Sequence, residues 1–122
     1  MTARGDVQEP PPLELSYRIL PDGQALVCLG GDLDIVSADA AVAYVSAVID
    51  QCQVPLAVDL AALQYCDAVG LRALERMADY AELAGCPFRL ASPRQPLARL
   101  MQITGLDRRF LASQIPAQPI RN

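Results

Sequence analysis

One stretch limits the possible folds more than any other. Pro55 opens the apolar run PLAVDL at 55–60, which leads through a short connection carrying Asp67 into a helical pattern from 68 to 84. The run is too short for a helix and almost wholly apolar, as expected of a central strand buried on both faces. In the helix that follows, Leu71, Leu74, Ala78 and Ala81 share one face, Arg72, Glu75, Arg76, Asp79 and Glu82 take the other, and Gly85 supplies a stop. A further strand pattern, PFRLAS at 87–92, comes directly after it. Two strands joined by a helix need a crossover, and crossovers favour parallel neighbours. The centre of the chain therefore reads as a β-α-β unit.

The flanking segments complete a mixed architecture. LELSYRIL at 13–20 alternates, with Leu13, Leu15, Tyr17 and Ile19 on one face; PDGQ at 21–24 is a turn, and ALVCLGG at 25–31 is the returning strand of a hairpin. A helix is expected after Ser37, read as its N-cap, with Val42, Val45, Val48 or Ile49, and Cys52 at helical spacing. Pro96 suits the first turn of a third helix that Gly105 ends, and RRFLA at 108–112 reads as a last short strand. The pattern β-β-α-β-α-β-α-β predicts a single α/β domain over residues 13–112. Its sheet is mixed, with four or five strands, and its helices pack mainly on one face. Residues 1–12, ending in three prolines, read as a flexible arm, and 113–122, with Pro116 and Pro119, as a flexible tail.

Composition excludes several classes of function. The chain has 122 residues and is 52% hydrophobic, enough for one domain with a core of its own. It has no His, so Ser–His–Asp and Cys–His chemistry lack a part. No C-x-x-C pair and no Gly-rich phosphate cradle occur; Gly30-Gly31 fits no nucleotide-binding spacing. No catalytic residue, metal site or cofactor is expected. All ten bases are Arg: residues 1–61 carry nine acids and two arginines, and residues 62–122 carry five acids and eight arginines. A net charge of −4 with no basic stripe disfavours direct nucleic-acid binding, whereas a dipolar surface suits a protein partner. Arg94, Arg99, Arg108 and Arg109 gather around the third helix, either as a solvated face or as a site for an acidic partner or phosphate. With no apolar segment long enough for a leader or a membrane span, the expected location is cytoplasmic, and the four cysteines are expected to be reduced.

Three segments, GDLD at 31–34, VDLAALQYCDAVGL at 58–71 and SPRQPLARLMQITGLDRRF at 92–110, together resemble the STAS domain, most closely its bacterial anti-sigma-factor antagonist branch. The resemblance covers about residues 13 to 112. It implies a partner that is an anti-sigma factor and also a serine kinase. In that branch an Asp-Ser-Ser-Gly loop docks on the kinase and is phosphorylated on its first Ser, which releases the complex. Asp67 and Gly70 match the Asp and Gly of that loop. Ala68 stands at the phosphoacceptor position and Val69 at the second Ser, while Asp34 matches an acidic position near the docking surface. The acceptor hydroxyl is therefore missing.

The resemblance implies a non-catalytic binding module for transcription regulation and signal transduction, acting by protein–protein interaction. It would sequester an anti-sigma factor or related kinase-type regulator without phosphorylation at the usual position, through Asp34, Asp67, Ala68, Val69 and Gly70. Two alternatives stay open: a STAS module sensing a small ligand (a nucleotide or lipid), and an accessory subunit of a transport or signalling complex. Asp67 also has a local role as cap of the second helix, accepting from the N–H of residue 69 or 70. Cys66 is the one thiol considered for a redox role, since the Asp67 charge would raise its pKa and the helix N-terminus would lower it.

Overall fold

The structure, a computed structural model, describes residues 13–107. The arm expected over 1–12, the closing strand over 108–112 and the tail over 113–122 lie outside the described residues. Strands β1 (Leu13–Ile19) and β2 (Ala25–Leu33) form the antiparallel hairpin, with Leu13 opposite Gly31 and Ile19 opposite Ala25. The Pro-Asp-Gly turn closes as its chemistry dictates. Asp22 accepts from the Gln24 backbone N–H at 3.1 Å and from its side-chain amide at 2.7 Å, while Gly23 takes the left-handed φ of 94°.

Helix α1 (Ala38–Cys52) carries the chain to β3 (Leu56–Cys66), helix α2 (Ala68–Ala84) to β4 (Phe88–Ala91), and α3 (Gln95–Thr104) follows. The sheet order is β1-β2-β3-β4, with β2, β3 and β4 mutually parallel. The mixed four-stranded sheet in a single α/β domain matches the expectation from sequence. Val27, Val58 and Leu90 stand abreast on three adjacent strands, all fully buried. Over this face lie Ala41, Val45, Val48 and Ile49 of α1 and Leu71, Leu74, Met77, Ala78 and Ala81 of α2. Burying one such Leu or Val side chain contributes about 1.5–3 kcal/mol, so these residues dominate the stability of the domain. The edge strand is only half covered. Tyr17 and Ile19 stay exposed, and the Tyr17 ring meets Tyr44 of α1 edge-on at 6.4 Å. Polar contacts join α1 to α2, among them Arg76 to Asp39 at 2.9 Å and the Tyr80 hydroxyl to Asp50 at 2.7 Å. Both are solvent-exposed and add little to stability.

Strand β3 corrects the sequence reading, which ended it near residue 60. It continues to Cys66 because it absorbs two bulges. Cys28 pairs with Asp59 but Gly30 with Ala62, and Gly31 pairs with Leu63 but Asp32 with Tyr65. The first extra residue is tolerated because Asp59 Oδ1 accepts the Ala61 N–H at 2.9 Å, satisfying a donor that the ladder leaves out. The bulges advance β3 relative to β2 so that Leu33 ends beside Cys66.

Candidate functional site

The carboxyl ends of β2 and β3 meet at one pole of the domain, and the site grows from that meeting. Leu33 lies opposite Cys66, and the Asp67 N–H donates to the Leu33 carbonyl at 3.4 Å. Asp67 has extended backbone geometry and caps α2: its Oδ1 accepts the Gly70 N–H at 2.9 Å, and its carbonyl accepts the Leu71 N–H at 2.8 Å. This is the capping arrangement expected from sequence, settled on residue 70. A capping carboxylate also complements the positive end of the helix dipole.

Gly70 is required by close approach. A Cβ placed there would collide with the Leu33 carbonyl oxygen and lie 2.9 Å from Cys66 Sγ. The first turn of α2 thus rests directly on the backbone of β2 and on the Cys66 side chain. Ala68 and Val69 occupy the two positions before it and point to solvent, with Val69 40% exposed.

Asp34 follows Leu33 and opens the turn that leads into α1. Its Oδ1 accepts from the Val36 N–H at 3.0 Å and the Ser37 N–H at 3.3 Å, and its carbonyl accepts from Ala38 at 2.8 Å. Ser37, read from sequence as an N-cap, makes no such cap. Its hydroxyl is buried, donates to the Asp32 carbonyl at 2.8 Å and accepts from the Asp34 N–H at 3.1 Å. The capping oxygen comes from Asp34, three residues earlier, because the chain already turns helically there. Asp34 and Asp67 are therefore both partly buried and both bound to backbone N–H groups. Beside Ala68 and Val69 stand Ile35 and Val36, 74% and 77% exposed. Sequence reasoning missed these two. The signal was an Ile-Val pair inside a polar helix-opening turn, where nothing in the pattern called for a core residue.

Cys66 half-faces the core beneath the loop. Burial, and then the neighbouring Asp67 charge, push its thiol up to about 12. A thiol held protonated is a poor nucleophile, which weighs against a redox role for Cys66. Beside the loop, a groove of about 500 Å³ runs between the end of β3 and the start of α3, lined in part by Leu63, Tyr65, Cys66, Arg94, Leu97 and Leu100. Among the described residues no three His, Cys, Asp or Glu side chains gather to hold a metal, and no helix is long and apolar enough to cross a membrane.

Fold and site together define a small mixed α/β domain that presents a capped helix start and an apolar tip at the carboxyl ends of its central strands. The chain belongs to the STAS domain family, whose profile matches residues 19–120. Several of its structural neighbours are described as anti-sigma factor antagonists. The anti-sigma factor antagonist from Mycobacterium paratuberculosis is 29% identical, with 85% of this chain and 87% of that chain covered and a TM-score of 0.69. RsbS from Moorella thermoacetica, in a substituted form, is 26% identical, with 78% and 80% covered and a TM-score of 0.64. The anti-sigma factor antagonist SpoIIAA in its unphosphorylated form is 16% identical, with 89% and 100% covered and a TM-score of 0.67, a likeness of fold. No curated protein sequence matches the chain.

Proposed function

We propose that this protein is a non-catalytic binding module that sequesters an anti-sigma factor or related kinase-type regulator, docking through the exposed Ala68 and Val69 flanked by the half-buried Asp34 and Asp67, with Gly70, buried against β2, supporting the loop instead of touching the partner as the sequence suggested. The observation that carries this reading is the apolar tip. Ile35, Val36 and Val69 stand exposed at the pole where the two strands end, over a scaffold fixed by the Gly70 contact and the two aspartate caps. Exposed aliphatic groups on rigid elements suit the centre of a protein interface. The likeness to the antagonist from Mycobacterium paratuberculosis supports the same partner class.

Residue 68 is alanine, so the first position of α2 offers no hydroxyl to a kinase. In this reading the chain docks and is not released by phosphorylation there. Where Ser is present, a phosphate would bring about −1.5 to −2 charge onto an interface shaped for a neutral side chain. The test is incubation with a purified kinase-type anti-sigma factor and ATP, followed by intact-mass measurement. The wild-type chain should bind and gain no phosphate on residues 66–70, whereas Ala68→Ser should gain one and lose affinity. Phosphate on the wild-type loop would overturn the proposal. So would undiminished binding by Ala68→Glu, since that carboxylate sits in the middle of the docking surface.

A further inference from the structure

Strand β1 is an edge. Among the described residues its one strand neighbour is β2. The Leu20 N–H donates to the Gln24 carbonyl at 2.8 Å. Antiparallel bonding alternates along a strand, so the even-numbered residues of β1 bond to β2. Leu13, Leu15, Tyr17 and Ile19 therefore turn their backbone N–H and C=O groups outward. Bulges, prolines and lysines are the usual protections of such an edge, and β1 has none of them over its seven residues. Tyr17 and Ile19, 41% and 52% exposed, leave apolar surface on the side that faces α1. Glu14, Ser16 and Arg18 stand on the other side, all exposed. Glu14 and Arg18 have no ionic partner among the described residues. Four residues of strand set them about 13 Å apart, too far to pair with each other.

We propose that this edge pairs with the same edge of a second copy of the chain, giving a two-fold dimer in which the two sheets become one. Charge fixes the register. Centring the antiparallel pair on Ser16 sets Glu14 of each copy opposite Arg18 of the other, so both charges are matched twice. It also sets Leu13 opposite Ile19 and Leu15 opposite Tyr17, apolar against apolar. The four facing pairs of odd-numbered residues can exchange two N–H···O bonds each, about eight in all. Other registers lose this match. A centre at Leu15 or Tyr17 puts one charge opposite Ser16 and carries the other past the end of the facing strand. A centre at Glu14 or Arg18 sets like charges face to face, which is destabilising. An edge pairing of seven residues is small, so the dimer is weak and reversible, at the low end of specific interfaces. It does not rest on the docking reading. Because the strands run antiparallel across the two-fold, the two Asp67 loops point to opposite ends of the joined sheet.

The test is sedimentation velocity of the full chain at concentrations up to about 1 mM, where even weak specific contacts are populated. The wild type should pass reversibly from monomer to dimer, with no larger species. Glu14→Arg and Arg18→Glu should each weaken the dimer at least about tenfold, since each exchanges two attractions for two repulsions. Both positions are exposed, so the melting temperature should hold. An equimolar mixture of the two variants should dimerise like wild type, because every base of one then meets an acid of the other. The double substitution should restore the homodimer for the same reason. In the wild type, raising the concentration should slow amide hydrogen exchange at Leu15 and Tyr17, whose N–H groups turn outward. A chain still monomeric at about 1 mM would overturn the proposal, as would a dimer indifferent to Glu14→Arg or a mixture that stays monomeric. Protection confined to the Asp67 loop or to α3 would place the contact elsewhere and equally overturn it. So would open-ended assemblies, because a two-fold pairing closes.

Discussion

Replacing Gly70 with alanine tests the geometry on which the site rests, and the expected sign is opposite to the usual one. Inside a helix, Gly→Ala is ordinarily stabilising by up to about 1 kcal/mol. Here the added methyl would overlap the Leu33 carbonyl oxygen, a backbone atom that cannot swing aside, and would press on Cys66 Sγ at 2.9 Å. Forcing one extra carbon into a packed site costs about 1–3 kcal/mol. Displacing the first turn of α2 also lengthens the Asp67–Gly70 hydrogen bond, now 2.9 Å, and a lost cap costs about 1 kcal/mol. Net of the propensity gain, Gly70→Ala should destabilise the domain by about 1–3 kcal/mol. In urea, with m about 2 kcal/mol/M, a loss of 2 kcal/mol lowers the midpoint by about 1 M. The same substitution in a Cys66→Ala background separates the two contacts. Most of the loss should persist, because the carbonyl oxygen is the harder obstacle. A Gly70→Ala chain as stable as wild type would mean that α2 does not rest on β2, and the loop would lose the support described for it.

Three further outcomes are expected. Asp67→Ala should cost about 0.5–2 kcal/mol by chemical denaturation, with Asp67→Asn retaining most of the stability, since the amide oxygen can still accept the Gly70 N–H. Val69→Arg should change stability by less than about 0.5 kcal/mol, as exposed positions do, while weakening binding to a kinase-type anti-sigma factor by more than about 1 kcal/mol on calorimetric titration. Unfolding by Val69→Arg would place Val69 in the core rather than in the docking surface. Alkaline stability should depend on Cys66. Its pKa is raised in the folded state to about 12 from an ordinary 9.0, so its contribution is complete below pH 9 and is lost as pH rises from there toward 12. Urea midpoints measured across that range should fall more steeply for wild type than for Cys66→Ala.

How much of this was legible depended on whether the signal was local. The Asp-Gly turn, the apolar strand at 56–60 and the amphipathic helix capped by Asp67 each announce themselves through spacing or a residue with one favoured geometry, and each appears where the sequence placed it. The fold class followed from their order. What failed was set by pairing between distant segments. The extension of β3 to Cys66 depends on β2 lying alongside and on Asp59 reaching a bulge N–H, neither of which is written in the run AALQYC. Ser37 carried the composition of a cap, but Asp34 had already taken that role through a turn starting earlier. Of the candidate site, Asp67, Ala68, Val69 and Gly70 were readable as one loop. The neighbouring tip of Ile35 and Val36 was not, because apolar residues in a short turn are visible as exposed only when the structure shows that nothing covers them.

The antiparallel register of β1 has a practical consequence. Leu13 lies opposite Gly31, two residues before the Leu33 carbonyl that anchors the Asp67 loop, so the chain enters the domain at the pole that bears the apolar tip. A purification tag fused directly ahead of Leu13 would therefore start beside that tip. Held there, a weakly sticky tag would meet the tip at high effective concentration and compete with a protein partner. Interaction screens on this protein belong on cleaved material, because an amino-terminal fusion would hide the surface being screened.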